Sequence, residues 1–248
     1  MRILGVIPAR FASTRFPGKP LADIGGKSMI RRVYERAGQC AALQKVVVAT
    51  DDLRIADHVR QFGGEVVMTS PDHQSGTDRC AEVARQLSGF DAYINIQGDE
   101  PFIDPGQIAA VAACFGRPDT RLATLVKKIT DTEELMNPNT PKVVITSGWE
   151  AIYFSRTPIP YFRGLEPDRW TGAHTYYKHI GIYGYRQDAL QEITALPVSP
   201  LEKTEALEQL RWVENGFRIR VAETESETRA VDTPEDLERI LKDHGHLF

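Results

Sequence analysis

The chain has 248 residues, of which 42% are hydrophobic and 26% charged, and this composition is that of a globular protein rather than a disordered or fibrous one. Its net charge is −4 and no block of Lys or Arg stands out, so binding to nucleic acid or to a membrane surface has no electrostatic basis. Apolar runs are too short for a signal peptide or a membrane span, so the sequence predicts a cytoplasmic protein. The length of the chain is consistent with one or two domains.

In the first half of the chain, short apolar runs rich in β-formers alternate with helical patterns. This alternation predicts an α/β fold, with a mostly parallel sheet covered by helices on both faces and ligands bound at the carboxyl ends of the strands. The predicted strands span residues 3–7, 45–49, 65–68, 92–96 and 122–126, and the predicted helices span residues 29–37, 55–62, 78–87 and 105–114.

Residues 142–186 break this rhythm, and we interpret them as an insertion. Strands are predicted at 142–145, 152–154 and 180–185, with a loop at 157–177. Further along, the apolar spacing predicts one helix over 201–213, with Leu207, Leu210 and Val213 facing inward. A last helix over 233–241 is predicted to begin with a capping box at Thr233.

The three cysteines, Cys40, Cys80 and Cys114, are odd in number and lack CxxC spacing. Neither a disulfide framework nor a zinc site is indicated. We expect buried thiols in a reducing compartment.

The loop after the first predicted strand carries three cations, Arg10, Arg15 and Lys19, among small residues and Pro17-Gly18. Small residues let backbone N–H groups approach an anion, Arg offers a forked donor and Lys a mobile charge. The spacing matches neither the Walker pattern nor GxGxxG. The pattern favours a phosphate-binding loop, and the alternative is a solvated basic loop.

Two aspartates are candidate ligands for a magnesium ion. Asp99 follows the predicted strand 92–96 within Gln97-Gly98-Asp99-Glu100-Pro101, where ligands bind in a parallel sheet. Asp232 precedes the predicted cap at Thr233, and the capping box does not account for it. Mg²⁺ needs few carboxylates when substrate phosphates and water complete its shell. The alternative for Asp99 is an ordinary Asp/Gly/Pro turn.

Together these segments resemble the 3-deoxy-manno-octulosonate (Kdo) cytidylyltransferases, also called CMP-Kdo synthetases, along nearly the whole chain. The stretches that carry the resemblance, in order, are IPARFASTRFPGKPL (7–21), HQSGTDR (73–79), NIQGDEP (95–101), PKVV (141–144), YFSRTPIP (153–160), HIGIYGYR (179–186), LEQLR (207–211) and VDTPEDL (231–237). The resemblance implies a nucleotide-diphospho-sugar transferase type of sheet in a single domain spanning 1–248. The insertion 142–186 would contribute to the sugar pocket and to a homodimer contact.

The resemblance also implies an activity: transfer of CMP from CTP to Kdo, giving CMP-Kdo and pyrophosphate for lipopolysaccharide biosynthesis. Arg10 and Lys19 would hold the triphosphate, and Asp99 and Asp232 would bind Mg²⁺; these four are the predicted catalytic residues. Ala9 and the loop of His73, Gln74, Ser75 and Gly76 would contact the cytidine. Related enzymes act on 8-amino-Kdo or sialic acid, and a catalytically inert nucleotide-sugar binding module is a further alternative.

For the sugar, the resemblance indicates Gln97, Arg156, His179, Glu208 and Gln209, with Arg156 or His179 meeting the sugar carboxylate. The alternatives are structural: His179 as a satisfied, half-buried histidine, and Glu208 and Gln209 on an exposed helix face.

The loop 157–177 is rich in aromatic residues, namely Tyr161, Phe162, Trp170, Tyr176 and Tyr177. Aromatic residues dominate the centres of interfaces, so this loop is predicted to form a symmetric homodimer contact. The alternative is that the rings fold back onto their own sheet as a satellite core.

Overall fold

The computed structural model describes residues 1–12 and 16–244. None of the helices in those residues is long and apolar enough to cross a membrane. The strands are β1 (Ile3–Ala9), β2 (Asp23–Ile24), β3 (Lys27–Ser28), β4 (Lys45–Thr50), β5 (Val66–Met68), β6 (Ala92–Asn95), β7 (Leu122–Ile129), β8 (Lys142–Ile145), β9 (Ala151–Ser155), β10 (Tyr176–Arg186) and β11 (Ile219–Glu223). The helices are α1 (Met29–Ala37), α2 (Leu53–Gln61), α3 (Gly76–Gln86), α4 (Pro105–Cys114), α5 (Thr132–Met136), α6 (Trp170–Ala173), α7 (Gln187–Thr194), α8 (Pro200–Glu205), α9 (Gln209–Glu214) and α10 (Pro234–His244).

One mixed sheet organises the described residues, in the order β11-β7-β10-β6-β1-β4-β5. β1 pairs in parallel with β4 and β6, β4 with β5, and β11 with β7. β10 is antiparallel to both β6 and β7, and β8 and β9 extend from it as an antiparallel pair. The predicted α/β fold with a mostly parallel mixed sheet is confirmed.

Helices cover both faces of this sheet because consecutive residues of its central strands are apolar, so that both faces carry apolar side chains. In β1, Leu4 and Val6 face a core that includes residues of α3, α7 and α9. Ile3 and Ile7 face the opposite core, built with residues of α1, α2 and α4. The three cysteines are free thiols, and Cys40 and Cys80 are buried as predicted, whereas Cys114 is only partly buried.

The prediction of one helix over 201–213 is wrong, because the chain forms α8 and α9 with a break between them. Ala206 ends α8 in the left-handed region with φ 51°. Leu207 and Leu210 are buried as predicted, whereas Val213 is only partly buried and Trp212, 1% exposed, fills the core instead. The apolar spacing runs through both helices, so it does not reveal the break.

The prediction that 157–177 is a loop is also wrong in part, since α6 lies within it and Tyr176 and Tyr177 begin β10. Trp170 and Tyr176 are 4% and 1% exposed and form a small core with Phe162 and Leu165. The Trp170 indole donates to the Leu165 carbonyl at 2.8 Å, and the Tyr176 hydroxyl to the Pro160 carbonyl at 3.0 Å. For these two rings, the alternative of a satellite core is the correct interpretation.

Candidate functional site

The carboxyl ends of β1 and β6 lie side by side, because these strands are parallel neighbours in the sheet. Their loops carry the candidate residues Arg10, Lys19, Gln97 and Asp99. Gly98 in the second loop has its backbone against the first, since a Cβ there would lie 2.6 Å from the Pro8 carbonyl oxygen. Only glycine permits this approach, and it fixes Asp99 beside the end of β1.

Lys19 lies between the two candidate metal ligands. The loop that delivers it closes at Gly18, which has φ 72° and donates its N–H to the Phe11 carbonyl at 2.9 Å. Lys19 Nζ is 2.8 Å from Asp99 Oδ2 and 3.2 Å from Asp232 Oδ1. The third predicted cation of this loop, Arg15, lies outside the described residues.

Asp99 and Asp232, separated by more than half of the chain, therefore converge on one positive charge. The backbone holds them together, because the Val231 N–H donates to the Asp99 carbonyl at 2.9 Å. Thr233 and Asp236 form the predicted capping box, with Thr233 Oγ1 accepting from the Asp236 N–H at 3.2 Å. This cap leaves the Asp232 carboxylate available to Lys19.

Two carboxylates around a cation are a donor set that suits a divalent metal, provided that substrate oxygens and water supply the remaining ligands. Within residues 1–12 and 16–244 no cluster of three or more His, Cys, Asp or Glu is arranged to hold a metal.

The neighbouring carboxyl group, Glu100, is set apart by its burial, which raises its pKa to about 7, while a hydrogen bond from the Thr228 hydroxyl acts in the opposite direction. Glu100 is thus partly protonated near neutral pH, unlike a typical exposed carboxylate.

The predicted nucleotide loop leads into the start of α3, beside the end of β1. Ser75 caps α3 through a capping box with Asp78. Gly76 packs closely, since a Cβ would lie 3.3 Å from Asn95 Nδ2 and 3.4 Å from the Pro8 ring. The first turn of α3, where the helix dipole favours negative charge, therefore lies beside the end of β1.

Side chains hold the rest of this loop in place. The Arg10 guanidinium donates to the His73 carbonyl, and the His73 ring hydrogen-bonds to Glu82. Gln74 Nε2 donates to the Asp72 carbonyl at 2.9 Å. Arg10 thus joins the end of β1 to the loop of His73, Gln74, Ser75 and Gly76.

Arg79 is a residue of this region to which sequence reasoning gave no role. It is fully buried, its Nη2 lies 2.9 Å from Asp51 Oδ1, and it also bonds to Thr69. A buried cation of this kind needs a carboxylate partner, and here the pair ties α3 to the end of β4. Arg79 is the last residue of the HQSGTDR stretch, and this position was the feature of the sequence that could have indicated its importance.

His179 is partly buried and lies against two aromatic rings, with centroids 5.3 Å from Phe154 and 5.1 Å from Tyr183. Burial lowers its pKa to about 3, so the imidazole is neutral at physiological pH. Its Nε2 lies 3.0 Å from the Thr124 hydroxyl, which itself donates to the Ile182 carbonyl at 2.8 Å. His179 therefore donates from Nε2 and keeps Nδ1 as an acceptor. A positive charge for a sugar carboxylate does not come from this ring.

Gln97, in the loop after β6, contacts β10, the strand that carries His179. Its Nε2 donates to the Gly181 carbonyl at 2.6 Å, where β10 has a register shift between Ile180 and Tyr183. Irregularities of this kind re-aim side chains and are frequent beside active sites. The shift places Gln97, His179 and Tyr183 in one region.

Arg156 is occupied by carbonyl groups of the chain itself. Its guanidinium donates from Nε to Glu205 at 2.6 Å, from Nη1 to Pro138 at 3.1 Å and from Nη2 to Ala206 at 3.2 Å. These contacts stabilise the left-handed corner at Ala206. In the part of the chain that is described, one N–H of each terminal nitrogen remains outside these three bonds.

Glu208 and Gln209 follow that corner and are not on an exposed helix face. The Thr77 hydroxyl donates to Glu208 Oε2 at 2.7 Å, and burial raises the pKa of Glu208. Glu208 therefore joins the sugar candidates to the first turn of α3. Gln209 is 5% exposed, and its Nε2 has no hydrogen-bond partner among the described residues.

Tyr183 is a further polar residue that sequence reasoning missed. It is 8% exposed, and its hydroxyl makes no hydrogen bond of normal geometry within the described residues. This hydroxyl lies near the Thr124 hydroxyl, and Tyr183 lies on the same strand as His179. The spacing of His179, Gly181 and Tyr183, alternate residues of a strand, was the signal that could have indicated it.

The sequence of this chain is similar to those of known cytidylyltransferases. The family model described as "Cytidylyltransferase" matches residues 4–223. A 3-deoxy-manno-octulosonate cytidylyltransferase of Parabacteroides distasonis is 55% identical over 246 residues, covering 97% of each chain. One of Bacteroides thetaiotaomicron is 56% identical over 252 residues, covering 99% of this chain and 100% of that one.

Two solved structures are similar to the fold. A CMP:2-keto-3-deoxy-manno-octonic acid synthetase complexed with CTP superposes with a TM-score of 0.92 at 44% identity, covering 100% of both chains. A cytidylyltransferase of Leptospira borgpetersenii superposes with a TM-score of 0.59 at 15% identity, covering 100% of this chain and 96% of that one, and so supports the fold alone.

Proposed function

We propose that this chain, which belongs to the cytidylyltransferase family, transfers CMP from CTP to Kdo and releases pyrophosphate. The observation that carries the proposal is the convergence of Lys19, Asp99 and Asp232 beside the N-terminus of α3. The names of the 55% and 56% identical relatives and the CTP complex of the similar structure support the same reaction.

In this proposal Arg10 and Lys19 hold the triphosphate, and Ala9, His73, Gln74, Ser75 and Gly76 contact the cytidine. Ala9 at the end of β1 and Gly76 are small and let the nucleotide approach the backbone, and the N-terminus of α3 favours the negative charge of a phosphate. Lys19 is held near phosphate by Asp99 and Asp232, where a flexible ammonium can follow charge as it develops on the leaving pyrophosphate.

Asp99 and Asp232 would hold the divalent metal ion that we propose as cofactor, Mg²⁺. When bound, Mg²⁺ neutralises negative charge on phosphate oxygens and aligns attacking and leaving oxygens. The two carboxylates already surround a cation, Lys19 Nζ, which supports their fit to such an ion.

We propose that Gln97, His179, Glu208 and Gln209 hold the sugar, together with Tyr183. The neutral His179 ring and the amide and hydroxyl groups suit a polyol, because each can pair with a hydroxyl group. For the sugar carboxylate we propose Arg156, through the N–H groups that its carbonyl contacts leave over.

The reaction needs no covalent protein nucleophile. The anomeric hydroxyl oxygen of the sugar forms a bond to the α-phosphorus of CTP and its proton passes to water, while the bond from that phosphorus to the bridging oxygen breaks and pyrophosphate leaves. The chain contributes alignment and charge stabilisation. We further propose that residues 1–248 form one nucleotidyltransferase domain. Residues 142–186 would contribute ligands for the sugar and would also form a homodimer contact. The enzyme would be cytoplasmic and would serve lipopolysaccharide biosynthesis.

The test is pyrophosphate release from CTP and Mg²⁺ with a panel of acidic sugars. The proposal predicts release with Kdo well above that with sialic acid, and little release when UTP replaces CTP. Preference for 8-amino-Kdo or sialic acid would make the chain a cytidylyltransferase for another acidic sugar. Binding of CTP without any release would favour the inert nucleotide-sugar binding module.

A further inference from the structure

Asp232 is carried by an irregular segment between β11 and α10, residues 224–232, which we call the arm. Nothing in sequence reasoning gave this segment a role apart from Asp232 itself. Irregular segments are mobile unless side chains tie them down. The position of Asp232 relative to Asp99 therefore depends on the contacts of the arm.

The arm is fastened first to the loop after β6, which carries Asp99. The Ser226 hydroxyl donates to Asp104 Oδ2 at 2.5 Å, and the buried Gln107 donates to the Ser226 carbonyl at 2.9 Å. The Thr228 hydroxyl donates to Glu100, the residue next to Asp99. Side-chain hydrogen bonds thus connect the arm, which carries Asp232, to the segment after β6, which carries Asp99.

A second fastening ties the arm to the sheet. Glu227 pairs with Lys178 of β10 and lies 3.3 Å from Lys127 of β7. The Lys178 side chain is 4% exposed and has Glu134 as its other carboxylate partner. Because a buried ammonium is costly unless paired, Lys178 anchors Glu227 firmly. The attraction of Lys178 and Lys127 holds the pKa of Glu227 below its usual value, with burial opposing them.

We propose that Thr228 and Glu227 are positioning residues that set the separation of the Asp99 and Asp232 carboxylates and thereby the affinity for the divalent metal ion. The inference rests on the proposed metal role of Asp232. Neither residue needs to touch the metal or the substrate. Partners of this kind, which act through a ligand, commonly change metal affinity by about 10-fold to 100-fold when they are lost.

The test compares Thr228→Val, which removes the hydroxyl at nearly constant volume, with Thr228→Ser, which keeps it. Binding of Mn²⁺ is followed by the loss of its free-ion EPR signal in the presence of CTP, with CTP alone as the baseline. We expect Thr228→Val to weaken Mn²⁺ binding about 10-fold and Thr228→Ser to restore it. The Mg²⁺ concentration for half-maximal activity should rise in parallel, while KM for Kdo stays constant.

A second pair of variants keeps the test independent of the folding of Thr228→Val. Glu227→Gln removes the partner of Lys178 and should also weaken Mn²⁺ binding, whereas Glu225→Gln, at an exposed position of the same arm, should not. Thermal unfolding of each variant identifies a general loss of stability.

The outcomes separate the inference from the function on which it rests. Loss of Mn²⁺ binding in Asp232→Asn, with unchanged binding in Thr228→Val and Glu227→Gln, would overturn the role of the arm alone. Unchanged binding in Asp232→Asn as well would overturn the metal site, and the inference with it.

Discussion

His179 should make the protein less stable as the pH falls. Its pKa is about 3 in the folded chain against a usual value of 6.5, because burial disfavours the imidazolium. Below the usual value the unfolded chain binds a proton at this residue that the folded chain does not, so folding stability decreases as the pH falls toward 3. From about pH 8 to about pH 5 this residue alone should remove about 2 kcal/mol of unfolding free energy.

The assay is urea unfolding of the wild-type chain and of His179→Gln at both pH values. His179→Gln cannot titrate, so the difference in unfolding free energy between the two proteins should shift by about 2 kcal/mol, with the wild type losing more. His174→Gln, at an exposed position, is the matched control. A pH-independent difference for His179→Gln would refute the reasoning that the ring is buried and neutral.

Other predictions concern the site, the corner at Ala206 and assembly. Asp99→Asn and Asp232→Asn should each reduce kcat on the order of 100-fold or more without loss of secondary structure by circular dichroism, and full activity would remove their metal role. Lys19→Ala should raise KM for CTP more than KM for Kdo in steady-state kinetics, whereas a rise for Kdo alone would contradict the assignment of the loop. Ala206→Gly should raise the unfolding free energy by about 1 kcal/mol, because glycine adopts φ 51° without a Cβ clash, and denaturant unfolding measures this. Light scattering at micromolar concentration should give the mass of a dimer, and a monomer mass would contradict the proposed homodimer.

Local patterns predicted much of the fold. α1 and α4 have the bounds that the apolar periodicity and start signals indicated, and β8 does as well. Each is decided by its own residues, with Ser28 and Asp104 as helix caps. The order of the strands was beyond such patterns, because β10 enters between β6 and β7 through pairing across distant parts of the chain.

The break between α8 and α9 shows why the rest could not be predicted. Residues 201–213 have helical spacing and no glycine at the corner, so local preference favours one helix. Arg156, about fifty residues away, donates to the Glu205 and Ala206 carbonyls and stabilises the left-handed turn. Tertiary contacts outweigh the local helix preference here. As a result, Glu208 does not lie on an exposed helix face and instead contacts Thr77 in the first turn of α3.

The sequence indicated which residues belong to the candidate site better than it indicated their contacts and protonation states. Asp99 and Asp232 were predicted as ligands of a metal ion, from a strand end, an aspartate that the helix cap leaves over and the family resemblance. Their shared contact with Lys19 was not predicted. The neutral state of His179 was not predicted either, since burial by Phe154 and Tyr183 depends on how β9 and β10 pack.

The most direct test of the proposed reaction follows the label of CTP into products, with Kdo and Mg²⁺ present. CTP labelled with ³²P at the α-phosphate should give a labelled sugar nucleotide, and CTP labelled at the γ-phosphate should give labelled pyrophosphate in equal amount. Neither product should form without Kdo. Labelled inorganic phosphate in place of pyrophosphate, or no labelled sugar from α-labelled CTP, would contradict cytidylyl transfer to Kdo.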